Sequence, residues 1–345
     1  MYVPALSHHD DLQTVAAMRI RKDGEKAMKI GKPEIRRIIY FRSVTAVILF
    51  LLIQLFAMPC LAEKIQVIAS IYPVADMVRQ VGGDHVAVTC VLPPGASPHT
   101  FEPKPSLVRA FSSARIFFMI GAGLEFWAGK FIKLAGPNLM TVVLSRGVHL
   151  IASTEHDHEN HPHEKEPTTL NNEPSVANPH IWLDPVIAKS MVDKITAALS
   201  KVDPVHLPYY NQRSRNYLKV LDRLDHRIAA ETAGFNNKKY VSFHASWDYF
   251  ARQYGFEPVG VIEAAPGRNP TPLQIKNIIA AIKRYHIRAV FAEPQLNPRA
   301  AEIIAREAHV KVLLLDPIGG PKQPYGNTYV DLMTHNLNIL KEAME

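Results

Sequence analysis

Residues 203–234 read DPVHLPYYNQRSRNYLKVLDRLDHRIAAETAG, and this stretch decides the fold. Asp203 and Pro204 form a typical helix start, and Gly234 is a typical helix end. Between them one stripe recurs at spacings of three and four residues: Leu207, Tyr210, Ser214, Tyr217, Leu221, Leu224 and Ile228. At 1.5 Å per residue, about 25 residues of this pattern predict a helix nearly 40 Å long.

On both sides of this helix, short β-branched runs alternate with helical stretches, a pattern typical of parallel sheets with crossover helices. Strands are predicted before the helix near residues 65–71, 85–92, 115–120 and 140–144, and after it near 240–243, 258–262, 289–292 and 312–315. The prediction is therefore an α/β protein of two lobes, each a mainly parallel sheet flanked by helices, joined by one long rigid helix. We place the lobes at residues 63–203 and 233–345, with the linking helix at 204–232.

The first 62 residues predict a leader with a signal peptide. Arg36, Arg37 and Arg42 precede an apolar run at 44–56, and small residues at Cys60 and Ala62 predict cleavage after Ala62. An uncleaved membrane anchor and a lipid-anchored Cys60 are the alternatives. Because the region before Arg36 is long for a signal peptide, Met18 or Met28 is also a candidate start.

The charge of the chain argues against a nucleic-acid partner. Its 345 residues carry 39 Lys and Arg against 32 Asp and Glu, a net charge of +7. Removal of the leader leaves 30 basic and 27 acidic residues, a net charge of +3. Apolar residues at 47% of the chain exclude a wholly disordered protein.

Three histidines and one aspartate are candidate metal ligands: His99, His180, His244 and Asp316. Of these, His99, His244 and Asp316 each follow a predicted strand, at the sheet end where open α/β sheets bind ligands. Imidazole nitrogens with one carboxylate suit tetrahedral zinc. Taken singly, each histidine is more typical of a structural residue than of a ligand, because their spacing forms no local metal motif, and Asp316 before Pro317 could be a helix cap or turn residue.

A second group of histidines lies in a polar stretch at about 153–178. His156, His158, His161 and His163 stand in a window of eight residues, where the overall composition predicts about 0.4. The stretch predicts a mobile loop that binds metal weakly and exchanges it quickly, or else only a solvated polar loop.

Several motifs in order resemble the metal-binding solute-binding proteins of bacterial ABC importers, and within them the zinc branch. They are Gly95-Ala96-Ser97-Pro98-His99 with Glu102-Pro103, Gly121 to Trp127, Asn178 to Pro185, Phe243-His244, and Glu293-Pro294-Gln295 with Leu315-Asp316-Pro317. The resemblance implies that His99, His180 and His244 bind zinc in a cleft, with Asp316 or water as the fourth ligand. Manganese-type relatives usually have glutamate in place of His244.

The resemblance also implies a soluble periplasmic monomer that hands zinc to an ABC permease with its ATPase, performs no catalysis and binds no nucleic acid. The His-rich loop would gather or regulate the metal. A manganese-binding homologue, a zinc-dependent hydrolase with Glu102 as general base, and a surface adhesin are the alternatives. If the imidazoles titrate near pH 6.5, zinc affinity should fall below about pH 6.

Overall fold

Two four-stranded parallel sheets form the framework of the chain in a computed structural model. The structure describes residues 37, 40–45, 63–153, 177–263, 267–321 and 323–345. Residues 40–45 are helical, and Met1–Ala62 forms a unit separate from Glu63–Glu345. The predicted cleavage site and the His-rich cluster lie outside the described residues. Among the described helices, none is both long and apolar enough to cross a membrane.

The first sheet has the strand order β2-β1-β3-β4, and helices connect its parallel strands. Its elements are β1 Ile65–Ala69, α1 Tyr72–Gly82, β2 Val86–Cys90, α2 Leu107–Ser113, β3 Ile116–Met119, α3 Ala128–Ala135 and β4 Met140–Val143. Cys90, at the end of β2, is a free thiol. The predicted strands of the first half are confirmed, with ends that differ by one or two residues.

The second sheet repeats the arrangement with the order β6-β5-β7-β8. Its elements are β5 Lys239–Ser242, α6 Asp248–Tyr254, β6 Glu257–Val261, α7 Pro272–Arg284, β7 Ala289–Ala292, α8 Arg299–Ala308, β8 Lys311–Leu314 and α9 Tyr329–Met344. All four strands are parallel, so their carboxyl ends meet at one edge of the sheet.

Two helices lie between the sheets in sequence, α4 at Pro185–Val202 and α5 at Leu207–Ala233. Asp184 begins α4 because its carboxylate accepts from the backbone N–H of Val186 at 2.8 Å. The predicted long helix is confirmed as α5, whose 27 residues span about 40 Å. Its predicted stripe is buried from Tyr210 to Ile228, whereas Leu207 is 42% exposed.

The C-terminal helix α9 packs against α1 of the first half and against the long helix α5, as well as against β8 of its own half. One apolar cluster accordingly runs from Val67 and Met77 through Tyr217 to Leu337. Smaller clusters fill the other faces of the two sheets, around Phe117 and around Val290. The sequence did not predict this crossing, because the apolar face of a helix does not reveal which partner covers it.

Candidate metal centre

Three histidine side chains from distant parts of the chain meet at one point. His99 lies in the loop between β2 and α2, His180 precedes α4, and His244 follows β5. The Nε2 atom of His180 is 3.0 Å from that of His99 and 3.1 Å from that of His244. One ring nitrogen of each lies within 4.8 Å of the other two.

These separations are close to what zinc requires. With Zn–N bonds of about 2.0–2.1 Å, two ligands of a tetrahedral site stand about 3.3 Å apart. The two separations measured from His180 therefore differ from this value by only a few tenths of an ångström. The cavity that they line is small, about 10 Å³, which is room for a single ion or water molecule.

His180 is held from behind by Asn178. The Oδ1 atom of Asn178 accepts from the backbone N–H of His180 at 3.0 Å and from its ring Nδ1 at 2.8 Å. The Nδ2 atom of Asn178 donates to the carbonyl of Ala245 at 2.6 Å and to Asp248 Oδ2 at 3.0 Å, and these two acceptors fix the amide orientation. Nδ1 of His180 is therefore the protonated nitrogen, and the lone pair of Nε2 is directed at the other two rings.

His244 is held in the same way by a carboxylate. Its Nδ1 atom lies 2.6 Å from Oε1 of Glu293, and Ser246 Oγ donates to the same oxygen at 3.3 Å. The carboxylate can only accept, so Nδ1 carries the proton and Nε2 remains available for a metal. Asn178 and Glu293 were not predicted from the sequence as residues of the site. Glu293 could have been found, because it directly follows β7 at the sheet edge where His244 follows β5.

Burial keeps two of the histidines neutral. It lowers the pKa of His99 to about 3, with nearby His244 as the second cause. Burial also lowers the pKa of His180 well below its ordinary value, with His244 and His99 as lesser causes. Neutral imidazole is the form that binds metal. Protonation of His99 and His180 is therefore expected to weaken zinc binding only at a pH below the value of about 6 expected for free imidazoles.

Carboxyl groups near His244 can supply negative charge that neutral imidazoles lack. Besides the buried Glu293, they are the half-buried Asp248 and the buried Glu263, both close enough to His244 for its charge to lower their pKa. Burial raises the pKa of Asp248 and of Glu263, and this effect is larger than the lowering caused by His244. A divalent cation added to this site would favour the ionised carboxylates and compensate the cost of their burial.

The fourth predicted ligand, Asp316, is not in the group of three histidines. Its Oδ1 atom accepts from Gln295 Nε2 at 2.7 Å and from the backbone N–H groups of Ile318 and Gly319 at 2.9 and 3.0 Å. Its Oδ2 atom accepts from the Tyr325 hydroxyl. Asp316 as a zinc ligand therefore stays a prediction, as do the auxiliary His156, His158, His161 and His163.

The two halves of the chain are also joined beside the site. The indole Nε1 of Trp182, two residues after His180, donates to the carbonyl of Pro317 at 2.7 Å. The hydroxyl of Tyr329 donates to the carbonyl of Trp182 at 2.7 Å, and the backbone N–H of Tyr329 donates to Asp76 Oδ2 at 2.8 Å. These buried bonds hold the loop of His180 against the loop of Asp316.

Comparison with known proteins places this geometry in context. The family model of the periplasmic component A of the zinc-uptake complex, ZnuA, matches residues 67–343. The high-affinity zinc uptake system protein ZnuA of Bacillus subtilis is 26% identical over 286 residues, which are 82% of this chain and 88% of that protein. The zinc-binding protein AdcA of Streptococcus pyogenes is 27% identical over 81% of this chain, which spans only 56% of AdcA.

Solved structures agree with these relatives. A crystal structure of ZnuA superposes with a TM-score of 0.70 at 27% identity, covering 82% of this chain and all of that one. The laminin-binding protein Lmb of Streptococcus agalactiae, described as bifunctional with adhesin and metal-transporting activity, superposes with a TM-score of 0.70 at 26% identity. This superposition also covers 82% of this chain and all of the Lmb chain.

Proposed function

The chain belongs to the ZnuA family of periplasmic zinc-uptake components, and on that premise we propose that it captures zinc and delivers it to an ABC permease. The observation that carries the proposal is the convergence of three imidazole nitrogens within 4.8 Å of one another. His99, His180 and His244 are the proposed ligands. Zinc is the cargo of the protein, and no turnover is required.

Zinc is favoured over manganese by the donor atoms. Among the described residues, the three-membered group contains only nitrogen ligands. Manganese prefers carboxylate, carbonyl and water oxygens, whereas imidazole suits zinc. We therefore expect zinc to outcompete manganese. Equal or tighter manganese binding would favour the alternative of a manganese-binding homologue.

Transport without catalysis is favoured over a zinc hydrolase by the position of the possible bases. Glu102 is exposed and is not part of the cavity lining. Glu293 lines the cavity, but its Oε1 atom is engaged by His244 and Ser246. A general base must reach the water that it activates. Zinc-dependent turnover of ester, peptide or phosphate substrates would overturn this part of the proposal.

We place the mature protein in the periplasm as a monomer, exported by a signal peptide that is cleaved after Ala62. Its lobes would comprise residues 63–203 and 233–345, joined by the helix at 204–232, and its partners would be an inner-membrane permease with its ATPase. Mass spectrometry of protein recovered from the periplasm tests the cleavage site. A mass equal to that of a chain beginning at Glu63 supports the predicted cleavage site. A mass that includes the leader, or a lipid on Cys60, contradicts it.

The experiment that tests the central proposal is a zinc titration of metal-free protein beginning at Glu63. We expect one tight site, weakened at least tenfold by His99→Ala, His180→Ala or His244→Ala. Deletion of residues 155–164, which removes the four clustered histidines, should abolish only weaker additional binding. Unchanged tight binding in all three alanine variants would reject the ligand assignment.

A further inference from the structure

Gln295 lines the same small cavity as the three histidines and Glu293. It lies three residues after β7, in the loop that begins with Glu293. Its amide nitrogen donates to Asp316 Oδ1 at 2.7 Å. Because an ionised carboxylate only accepts hydrogen bonds, this contact fixes which end of the amide is nitrogen and which is oxygen.

The amide oxygen of Gln295 is buried, and no described residue donates a hydrogen bond to it. A buried acceptor without a donor costs about 1–3 kcal/mol. Glu293 and the carboxylate of Asp316 cannot donate to it when they are ionised. A donor that arrives with the zinc ion would remove this cost.

Asp316 is poorly placed to be that ion's fourth ligand. Its two carboxylate oxygens accept four hydrogen bonds, from Gln295, Ile318, Gly319 and Tyr325. Oδ1 accepts three of these bonds and Oδ2 accepts one, while Asp316 neither lines the cavity of the three histidines nor belongs to the group whose ligand atoms lie within 4.8 Å of one another. Tetrahedral zinc held by three histidines therefore has one position left for a small ligand with protons to donate, and water fits this description.

We propose that Gln295 is a positioning residue of the zinc site, whose amide oxygen accepts a hydrogen bond from a water molecule bound to zinc as the fourth ligand. Asp316 then acts through Gln295, by holding the amide nitrogen, and does not touch the metal. This inference rests on the proposed zinc-binding function. A water ligand would also leave the ion with one exchangeable position, at which a ligand from the receiving permease can bind.

The test compares zinc affinities of Gln295→Met, Gln295→Glu and Asp316→Asn, measured by competition with a chromophoric chelator at pH 7. Gln295→Met keeps the size of the side chain but removes the acceptor, and we expect a 10- to 100-fold loss of affinity. Gln295→Glu keeps an oxygen acceptor and should bind zinc more tightly than Gln295→Met. Asp316→Asn keeps an acceptor for the Gln295 amide and should lose less affinity than Gln295→Met.

A spectroscopic readout separates a site effect from a general structural one. With cobalt in place of zinc, the visible d–d bands report the coordination sphere, and we expect them to change in Gln295→Met. The matched control is Gln212→Met, on the exposed surface of α5, which should change neither the affinity nor the bands.

Wild-type affinity and bands in Gln295→Met would overturn the inference. A larger loss in Asp316→Asn than in Gln295→Met would overturn it in favour of Asp316 as a direct ligand. Either result leaves the proposed function standing, because that function fails only if the wild-type protein or its histidine variants contradict the three-histidine site.

Discussion

Nδ1 of His244 lies 2.6 Å from Oε1 of Glu293, and neither side chain is more than 3% exposed. The pair fixes the ring so that Nε2 is directed at His180. It also places a carboxylate directly behind a proposed metal ligand, which increases the basicity of that ligand. The proposed zinc site therefore depends on a residue that is not itself a proposed ligand.

Glu293→Gln should weaken zinc binding about 10- to 100-fold, because the amide is neutral and a weaker acceptor for the ring N–H. A competition titration at pH 7 measures the change. Glu307→Gln, on the exposed surface of α8, is the matched control and should bind zinc as the wild type does. Wild-type affinity in Glu293→Gln would contradict the role given to the pair.

Asn178→Leu should destabilise the metal-free protein by at least about 2 kcal/mol. The change leaves the Ala245 carbonyl and the His180 N–H groups without their partner, and each buried unpaired group costs about 1–3 kcal/mol. Urea unfolding measures the effect. Asn216→Leu on the exposed side of α5 should shift the stability by less than about 0.5 kcal/mol. Equal effects of the two substitutions would count against the network.

The stability of the metal-free protein should fall as the pH drops below about 6.5. The folded pKa values of His99 and His180 are depressed, so the unfolded chain binds more protons than the folded one in this range. Each histidine contributes up to about 1.4 kcal/mol per pH unit, until the pH reaches its folded pKa.

Urea unfolding between pH 7 and pH 5 measures this slope, and His99→Gln should reduce it because glutamine does not titrate. The same pKa shifts predict that protonation of His99 and His180 does not weaken zinc binding between pH 7 and pH 6. An unchanged slope in His99→Gln would contradict the assignment of these two rings as neutral.

Much of the fold could be predicted from the sequence because its signals are local. The eight described strands are short runs rich in β-branched and aromatic residues, and the long helix α5 carries a stripe at spacings of three and four residues that is apolar except at Ser214. The crossing of α9 onto α1 and α5 could not be predicted, because it depends on which surfaces remain uncovered after both sheets have formed. Periodicity shows that a helix has an apolar face and not what covers it.

Part of the site could be predicted from the positions of histidines after predicted strands. His99 and His244 follow strands, and parallel topology brings strand ends together, so the sequence pointed to them as ligands. The partners of the rings were missed, because Asn178 and Glu293 each have an ordinary explanation as a loop residue before proline. The hydrogen bonds that occupy Asp316 were missed as well, since Gln295 and Tyr325 reach it from separate loops.

Trp182→Phe should cost about 2–4 kcal/mol and weaken zinc binding. The indole is fully buried and donates to the Pro317 carbonyl, so the change leaves that carbonyl unpaired and opens a gap next to His180. Thermal unfolding and zinc titration measure the two effects. Trp127→Phe, at a half-buried position among the phenylalanines of the first sheet, should lower stability less and leave zinc affinity unchanged.

The most direct measurement is the anomalous scattering of the zinc-loaded protein at the zinc absorption edge. The account predicts one strong peak about 2.0–2.1 Å from the Nε2 atoms of His99, His180 and His244 together. A principal peak at any other position, or one bonded to fewer than all three of these nitrogens, would contradict it.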